Sequence, residues 1–498
     1  MFRVRLYKPG SFFPQFKLLL ALSKLLMYKI LLVVVLSFGV VSSNHAEVLF
    51  SNGFENRTVP SQFPLVDGSY QLPANPVTDQ LNWLMAQFSN GGTSLSAVNS
   101  HFNLSAFGLS AEQMRDFIAS IRSDFPNAVI TDVIMVTPIR LTVLIANPLD
   151  KSKFGFLNLG SEFTGQKRIN FFSVGNFFGS VQYFKDQSLT MVQAANRFQT
   201  LAAETSLLVA KIDNAGVCKP IANRNGSILR ATGSIFKIWI LAAAAKAWEM
   251  GQVSLDQEIA LVASELALAG VINGEPLGTK FSLLEIATLM LGISDNTATD
   301  LLHQTIGRSL MFQVINGLNL TNPKKLTPLL SVNEQFHLFF SFPLATALSY
   351  INGTEAFQQS FLKNQIEPLG PLTSFPHNND SIFVEGSWRA SPMDICKTFS
   401  HFRNLPEGSD QLKLIDTALG AGAAQPNIRN LWDRVWYKGG SLESGVTGYH
   451  VLTHAWLLEN QGSDPYVVIA MANDSNGGID VFDVQSITGR ILELVSQL

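Results

Sequence analysis

The sequence predicts an α+β protein in which a small domain of helices and an antiparallel sheet precedes a larger domain of the same class. Before residue 127 apolar residues repeat at helical spacing, and four segments rich in Val, Ile, Phe and Thr follow. The larger part shows a strand, several helices, two strands and a final helix, the order expected of a sheet with helices on both sides. Hydrophobic residues are 47% of the chain and charged residues 15%, so a large core is available.

Residues 1–46 resemble a secretory signal rather than part of the fold. A run of twelve apolar residues, Ile30–Val41, follows Lys24 and Lys29 and precedes small residues up to Ala46. Twelve residues are too few to span a bilayer. We therefore expect a mature chain that begins near Glu47 and is periplasmic or secreted. An uncleaved signal is the alternative, and it is the only membrane contact that the sequence predicts.

The remaining chain divides into a linker and two domains. Residues 47–74 are polar and contain several prolines, which is typical of a linker. Residues 75–187 form the predicted small domain, in which no acid/base pair is evident. Its predicted elements are a helix at Thr78–Phe88, a second helix capped by Ser110, and strands at Ala128–Val136, Arg140–Ala146, Lys153–Leu159 and Gln166–Val174.

Residues 188–498 form the predicted large domain. An apolar segment, Ile238–Trp248, predicts a helix that is buried on most sides. Ser391 and Pro392 are a typical cap and first-turn pair for another helix. The other predicted elements are helices at Leu189–Thr205, Leu283–Leu291 and Asp480–Leu498, and strands at Leu207–Ile212, Gly448–Leu457 and Tyr466–Ala472.

Composition excludes several function classes. The net charge is −3 and no Lys/Arg run occurs, so nucleic acid is not an expected partner. No Cys/His spacing typical of a metal site and no nucleotide-binding loop occurs, so no cofactor is predicted. An exported chain would allow a disulfide between Cys218 and Cys396, and buried free thiols are the alternative.

Three short motifs in a fixed order carry the functional argument. A single Ser-x-x-Lys pair decides nothing, and a second such pair occurs at Ser360 and Lys363. The combination of three motifs in this order is much less expected by chance. The motifs are Ser234-Ile-Phe-Lys237, Ser294-Asp-Asn296 and Lys438-Gly-Gly440.

The first motif contains a candidate nucleophile and base. Ser234 lies at the start of the predicted buried helix, where the helix dipole favours negative charge on its oxygen. Lys237 is one turn further on and therefore on the same face. A desolvated lysine can be partly neutral and can take the proton of a serine hydroxyl. A capping serine beside an ordinary lysine is the alternative for this pair.

The second and third motifs complete a candidate active site. Ser294 is suited to relay a proton to a leaving group, and Asn296 to hold a substrate amide, although the same residues could simply cap a helix. Lys438 can bind a substrate carboxylate, and Gly440 lets substrate approach a strand edge, although a plain hairpin turn is the alternative. Backbone N–H groups of Ser234 and Ser441 are the predicted oxyanion hole.

At these motifs residues 200–498 resemble the class A beta-lactamase and penicillin-binding-protein family. Ala390–Phe399 also resembles the helix start that follows the omega loop of that family. The two-domain layout is similar to beta-lactamase-like proteins of clavulanic-acid biosynthesis, in which a cystatin- or ketosteroid-isomerase-like domain comes first. The resemblance implies a serine hydrolase that forms an acyl-Ser234 intermediate with a small-molecule beta-lactam or a related amide or ester. It also implies an antiparallel sheet with helices on both sides and an all-helical subdomain.

One departure from the family concerns the second half of the reaction. Class A enzymes carry a Glu in an E-x-x-L-N segment, and no such segment occurs between Ser294 and Lys438. Glu385 is the proposed substitute and Glu334 the other candidate, but neither has the flanking pattern. We therefore expect acylation with slow deacylation, and hydrolysis by residues 196–498 alone. A peptidoglycan peptidase or esterase, and a non-catalytic binding module, are the alternatives.

Overall fold

The computed structural model describes residue 59 and residues 62–89, 91–175 and 186–498, with only the backbone for 151 and 152. The predicted signal and half of the predicted linker lie outside the described residues. The linker's described part contains a two-stranded hairpin, β1 and β2, at Leu65–Val66 and Ser69–Tyr70. In the described part of the chain, no helix combines the length and apolarity needed to cross a membrane.

Four helices cover one face of a four-stranded antiparallel sheet in residues 76–175. The strands lie in chain order, and apolar residues of alternate positions face the helices in one core. Ser110 caps the fourth helix with a reciprocal capping box to Gln113. The helices α1–α4 are Pro76–Ser89, Leu95–His101, Leu104–Phe107 and Ala111–Asp124, and the strands β3–β6 are Val129–Val136, Arg140–Asn147, Asp150–Ser161 and Ile169–Gly175.

A five-stranded antiparallel sheet forms the centre of residues 186–498. Its strands are β7 and β8 at Glu204–Ile212 and Cys218–Arg224, and β13–β15 at Arg434–Ser444, Gly448–Glu459 and Tyr466–Asn473. They lie in the order β13-β14-β15-β7-β8, so the edge strand β13 lies three strands away from β7. Four shorter strands, β9–β12, are Arg230–Ala231, Glu258–Ala260, Lys280–Ser282 and Arg389–Ala390.

Helices pack on both faces of this sheet. Apolar residues of β7 alternate between the two faces, since Leu207 and Val209 belong to one core and Leu208 and Ala210 to the other. The first and last helices of this domain cover one face, and the helices Pro392–Arg403 and Asp410–Gly420 pack on the other. The helices α5–α15 are Met191–Phe198, Lys237–Glu249, Leu283–Gly292, Asn296–Ile306, Arg308–Gly317, Val332–Phe340, Leu344–Ile351, Glu355–Phe361, Pro392–Arg403, Asp410–Gly420 and Val481–Val495.

The structure confirms the predicted α+β class. The predicted helix Leu189–Thr205 is shorter than expected, because α5 ends at Phe198 and β7 already begins at Glu204. The cysteines are paired in the structure: a disulfide joins Cys218 on β8 to Cys396 on α13, across 178 residues of sequence.

The small sheet and the large domain share backbone hydrogen bonds and core. The edge strand β3 pairs with residues 421–423, with Val136 N donating to Ala421 O at 2.8 Å and Ala423 N donating to Ile134 O at 2.8 Å. Ile139, in the turn after β3, is 2% exposed and belongs to the main core of the large domain. The small sheet is therefore packed directly against the helices that carry the second motif.

Candidate active site

Ser234 lies in a tight turn that runs into a largely buried helix. A 3₁₀ turn at Gly233–Phe236 precedes α6, and ten of the thirteen residues of α6 are buried. The apolar sequence predicted burial on most sides. This burial fixes the orientation of the helix about its own axis. Ser234 is half-buried, whereas Lys237 is fully buried. The turn thus places a half-buried serine one helical turn before a fully buried lysine.

Lys237 connects the first motif to the second. Its Nζ donates hydrogen bonds to the carbonyl oxygen of Ser294 at 2.6 Å and to Oδ1 of Asn296 at 2.8 Å. A third, longer contact of 3.2 Å reaches Oγ of Ser294. Burial lowers the pKa of Lys237 to about 7, although the nearby Asp295 and Asp300 act in the opposite direction. A large neutral fraction at neutral pH is what a lysine base requires.

Asp295 holds the second motif in place. One carboxylate oxygen accepts the N–H of Ala298 at 2.7 Å and caps α8, as the alternative interpretation of this motif predicted. The other oxygen accepts the N–H groups of Val271 and Ile272 at 2.6 and 3.0 Å. The carboxylate is buried, and these hydrogen bonds hold the loop in place. Ser294 itself has φ +58°, in the left-handed region, which turns its side chain towards the lysines.

Lys438 reaches the same hydroxyl from the opposite side. It lies on β13, and its Nζ donates to Oγ of Ser294 at 3.0 Å and to the carbonyl of Gly439 at 2.6 Å. Two effects lower the pKa of Lys438 well below its usual range: burial is the larger one, and the charge of Lys237 is the smaller. Oγ of Ser294 therefore lies between two buried amines, an arrangement suited to proton transfer through a hydroxyl.

Gly440 lets the edge strand β13 approach the turn Gly233–Phe236 closely. A Cβ atom at this position would lie 2.3 Å from the carbonyl oxygen of Thr232 and 2.6 Å from the backbone N of Ser234. Thr453 on β14 fixes this approach, because its Oγ1 donates to the carbonyls of Thr232 and Gly440 at 2.7 and 3.1 Å. Ser441, the next residue on β13, is half-buried at the same edge. The predicted oxyanion donors therefore belong to two segments in direct contact.

The structure does not bring Glu385 to the three motifs. Its side chain is 60% exposed and forms an ion pair with Arg389. Glu334 is bound by Arg308 and accepts the backbone N–H of Ser331 in a capping box. Among the described residues, no hydrogen bond or ion pair joins either carboxylate to Ser234, Lys237, Ser294 or Lys438. Sequence reasoning favoured these carboxylates only because they lie between the second and third motifs.

Two supporting residues had no signal in the sequence. Thr453 is 221 positions from its partner Thr232, and it is one of several threonines on buried strands. Asp300 accepts the N–H groups of Val332 and Asn333, and its pKa is raised to about 7 mainly by burial. Over the described ranges, no group of three or more His, Cys, Asp or Glu side chains is arranged to hold a metal ion.

Known proteins are similar to part of this chain. Residues 193–342 match the model of the beta-lactamase enzyme family. No curated protein sequence matches the chain. A beta-lactamase from Chitinophaga pinensis is 16% identical with a TM-score of 0.43, over 62% of this chain and 98% of that one. A beta-lactamase from Sphaerobacter thermophilus is 16% identical with a TM-score of 0.40, over 62% and 95%. The protein PBP-A is 17% identical with a TM-score of 0.40, over 61% and 96%.

Proposed function

We propose that the chain is a serine hydrolase that acts on beta-lactams, or on related amides and esters, through an acyl-Ser234 intermediate. One observation carries the proposal: Oγ of Ser294 lies 3.2 Å from Nζ of Lys237 and 3.0 Å from Nζ of Lys438. Residues from three motifs, spread over about two hundred positions, thus meet at one hydroxyl beside Ser234. The match of residues 193–342 to the beta-lactamase enzyme family supports the same chemistry.

The geometry supports a stepwise acyl transfer. The neutral amine of Lys237 takes the hydroxyl proton of Ser234, and the serine oxygen attacks the substrate carbonyl carbon. The developing oxyanion is stabilised by the backbone N–H groups of Ser234 and Ser441. The proton then passes through Ser294 to the leaving nitrogen or oxygen as its bond to the carbonyl carbon breaks. Water finally hydrolyses the ester and returns Ser234.

Two residues supply substrate recognition in this scheme. Lys438 attracts the substrate carboxylate, which in turn favours the protonated form of its buried amine. Asn296 offers its side-chain amide to the substrate amide, although in the free protein it is bonded to Lys237 and to the carbonyl of Leu268. A peptidoglycan peptidase or esterase is the second candidate. It is favoured because, among the described residues, neither Glu385 nor Glu334 is bonded to the motifs, so no base for rapid hydrolysis of a beta-lactam acyl group is identified.

Covalent labelling tests the proposal. The full chain is incubated with a fluorescent penicillin and a reporter cephalosporin, and the adduct is located by intact mass and peptide mapping. We expect one adduct on Ser234, loss of labelling in Ser234→Ala, and unchanged labelling in Ser360→Ala, the control for the second Ser-x-x-Lys pair. Adduct on Ser360, or no adduct on the wild type, would contradict the proposal; the latter outcome favours a non-catalytic module.

Export and the class of the small domain are further parts of this proposal. The signal-like residues 1–46 support a periplasmic or secreted protein that begins near Glu47. N-terminal sequencing of the exported protein checks this, and a cytoplasmic chain that retains Met1 would contradict it. A cystatin- or ketosteroid-isomerase-like small domain is supported by helices that cover one face of a four-stranded antiparallel sheet.

A further inference from the structure

The loop between β5 and β6 of the small sheet donates hydrogen bonds to one carboxylate of the large domain. Oε1 of Glu275 accepts the backbone N–H of Phe163 at 2.7 Å. Oε2 accepts the backbone N–H and the hydroxyl of Thr164 at 3.2 and 2.9 Å. The ring of Phe163 also packs on Phe281, with centroids 4.4 Å apart. Hydrogen bonds to a charged acceptor are the strong kind, so this contact is well defined.

Glu275 ends the short turn that holds the second catalytic motif. The 3₁₀ turn Val271–Gly274 directly precedes it, and the N–H of Glu275 donates to the carbonyl of Ile272 at 3.0 Å. The first two N–H groups of this turn are the donors to Oδ2 of Asp295. Any displacement of Glu275 is therefore transmitted through a single turn to the residue beside Ser294.

The small domain also contacts the other side of the motif. Gly292 ends α7 two residues before Ser294, and a Cβ atom built on it would lie 2.6 Å from Cγ2 of Thr137. Thr137 is held by a backbone hydrogen bond to Arg140 at 2.8 Å. Burial lowers the pKa of Arg140 to about 10, while Asp295 and Glu275 act to raise it, so its charge also acts on this motif. Contacts from the small sheet thus reach the catalytic turn by two routes, one through Glu275 and Asp295 and the other through Gly292.

We propose that the small sheet domain is a positioning element for the catalytic turn Ser294–Asn296, and that Glu275 is the residue through which it acts. The inference rests on the proposed function. It assigns a role to a domain in whose sequence no acid/base pair is evident. It also replaces the sequence-based expectation that residues 196–498 alone would retain hydrolysis, because those residues lack Phe163, Thr164 and Thr137.

The test measures acylation of Ser234 in the full chain, with Glu275→Gln as the main variant. The substitution keeps the size of the side chain but points an amide donor at backbone donors. We expect the limiting acylation rate with a fluorescent penicillin to fall about tenfold, because small misplacements of catalytic groups have large effects on rate. The probe concentration for half-saturation should change less than the limiting rate, and the thermal midpoint should stay close to that of the control.

Glu258→Gln is the matched control, since Glu258 is an exposed carboxylate in the same domain that pairs only with Lys280 among the described residues. Thr164→Val removes one donor to Glu275 and should cause a smaller fall that is less than additive with Glu275→Gln. Thr164→Val decides the question if Glu275→Gln fails to fold. If the wild type is labelled but Glu275→Gln and Thr164→Val have the same limiting acylation rate as the Glu258→Gln control, this inference is overturned and the proposed function is not. An unlabelled wild type would overturn the proposed function and this inference together.

Discussion

Under the proposed function, burial of Lys237 sets the pH range in which Ser234 is acylated. The lysine acts as a base only in its neutral form, and its pKa is lowered to about 7. We therefore expect the acylation rate to rise with pH and to reach half of its maximum at about pH 7. Adduct formation followed by rapid-quench mass analysis over a pH series measures this. Lys246→Gln, which changes an exposed lysine of the same helix, should leave the profile unchanged. A half-point near the ordinary lysine pKa would contradict the assignment.

Neither candidate carboxylate is bonded to the three motifs in the described part of the chain, which predicts slow deacylation under the proposed function. Glu385 is bound to Arg389 at the surface, and Glu334 is bound to Arg308. A positioned general base contributes about 10²–10⁴-fold, so the acyl-enzyme should accumulate without one. Stopped-flow turnover of a reporter cephalosporin should show a burst of about one equivalent and then a slow steady state. Glu385→Gln should not change the slow phase. Fast turnover without a burst would show that another group activates water.

The sequence predicted the residues of the candidate site better than it predicted the residues that hold them in place. Ser234, Lys237, Ser294 and Lys438 were recognisable because each stands in a short motif with fixed spacing. Glu275 was not recognisable, because its partners lie more than a hundred positions earlier and are mostly backbone groups. Contacts of this kind depend on how two domains pack, and no local pattern encodes them.

Among the elements, those with a cap or a strong apolar pattern were predicted best. The helix after Ser110 and the helix after Ser391 both begin at the predicted cap, each with a capping box. The helices α10–α12, between residues 332 and 361, were not predicted. They are short; apolar side chains of α10 and α11 pack with Ala231, Leu442 and Val451, and Phe361 of α12 lies in the main core. Tertiary packing rather than local propensity stabilises such helices.

The disulfide links the edge strand β8, which the sheet core alone holds less tightly, to the buried helix α13. Cys218 lies on β8, whose other residues are mostly half-buried or exposed, and Cys396 lies on the buried α13. Closing a long loop restricts the unfolded chain and typically contributes about 2–4 kcal/mol. We expect Cys218→Ser with Cys396→Ser to lower the free energy of unfolding by about this amount, measured by urea denaturation. Reduction of the wild type should have the same effect, and an unchanged midpoint would contradict this prediction.

At the scale of the whole molecule, the change of pattern near residue 187 predicted two domains but not their degree of contact. Residues around the predicted boundary, 176–185, lie outside the described part of the chain. On either side of it, β3 hydrogen-bonds to residues 421–423, and the loop after β5 holds Glu275. A sequence shows that a segment can form its own sheet, because alternation is local. It does not show which apolar residues of that sheet are buried against another domain.

The shared core predicts that both sheets unfold together. Ile139 and Phe163 lie in loops that connect strands of the small sheet, yet Ile139 belongs to the main core of the large domain and Phe163 packs against it. Separating the sheets would expose these side chains and leave the carboxylate of Glu275 without its partners, so neither part should be stable after the other unfolds. We expect one calorimetric transition whose van't Hoff enthalpy equals the calorimetric enthalpy. Ile139→Ala should cost about 2–5 kcal/mol and lower that single midpoint. Two resolved transitions, with Ile139→Ala affecting only one of them, would show that the sheets are independent.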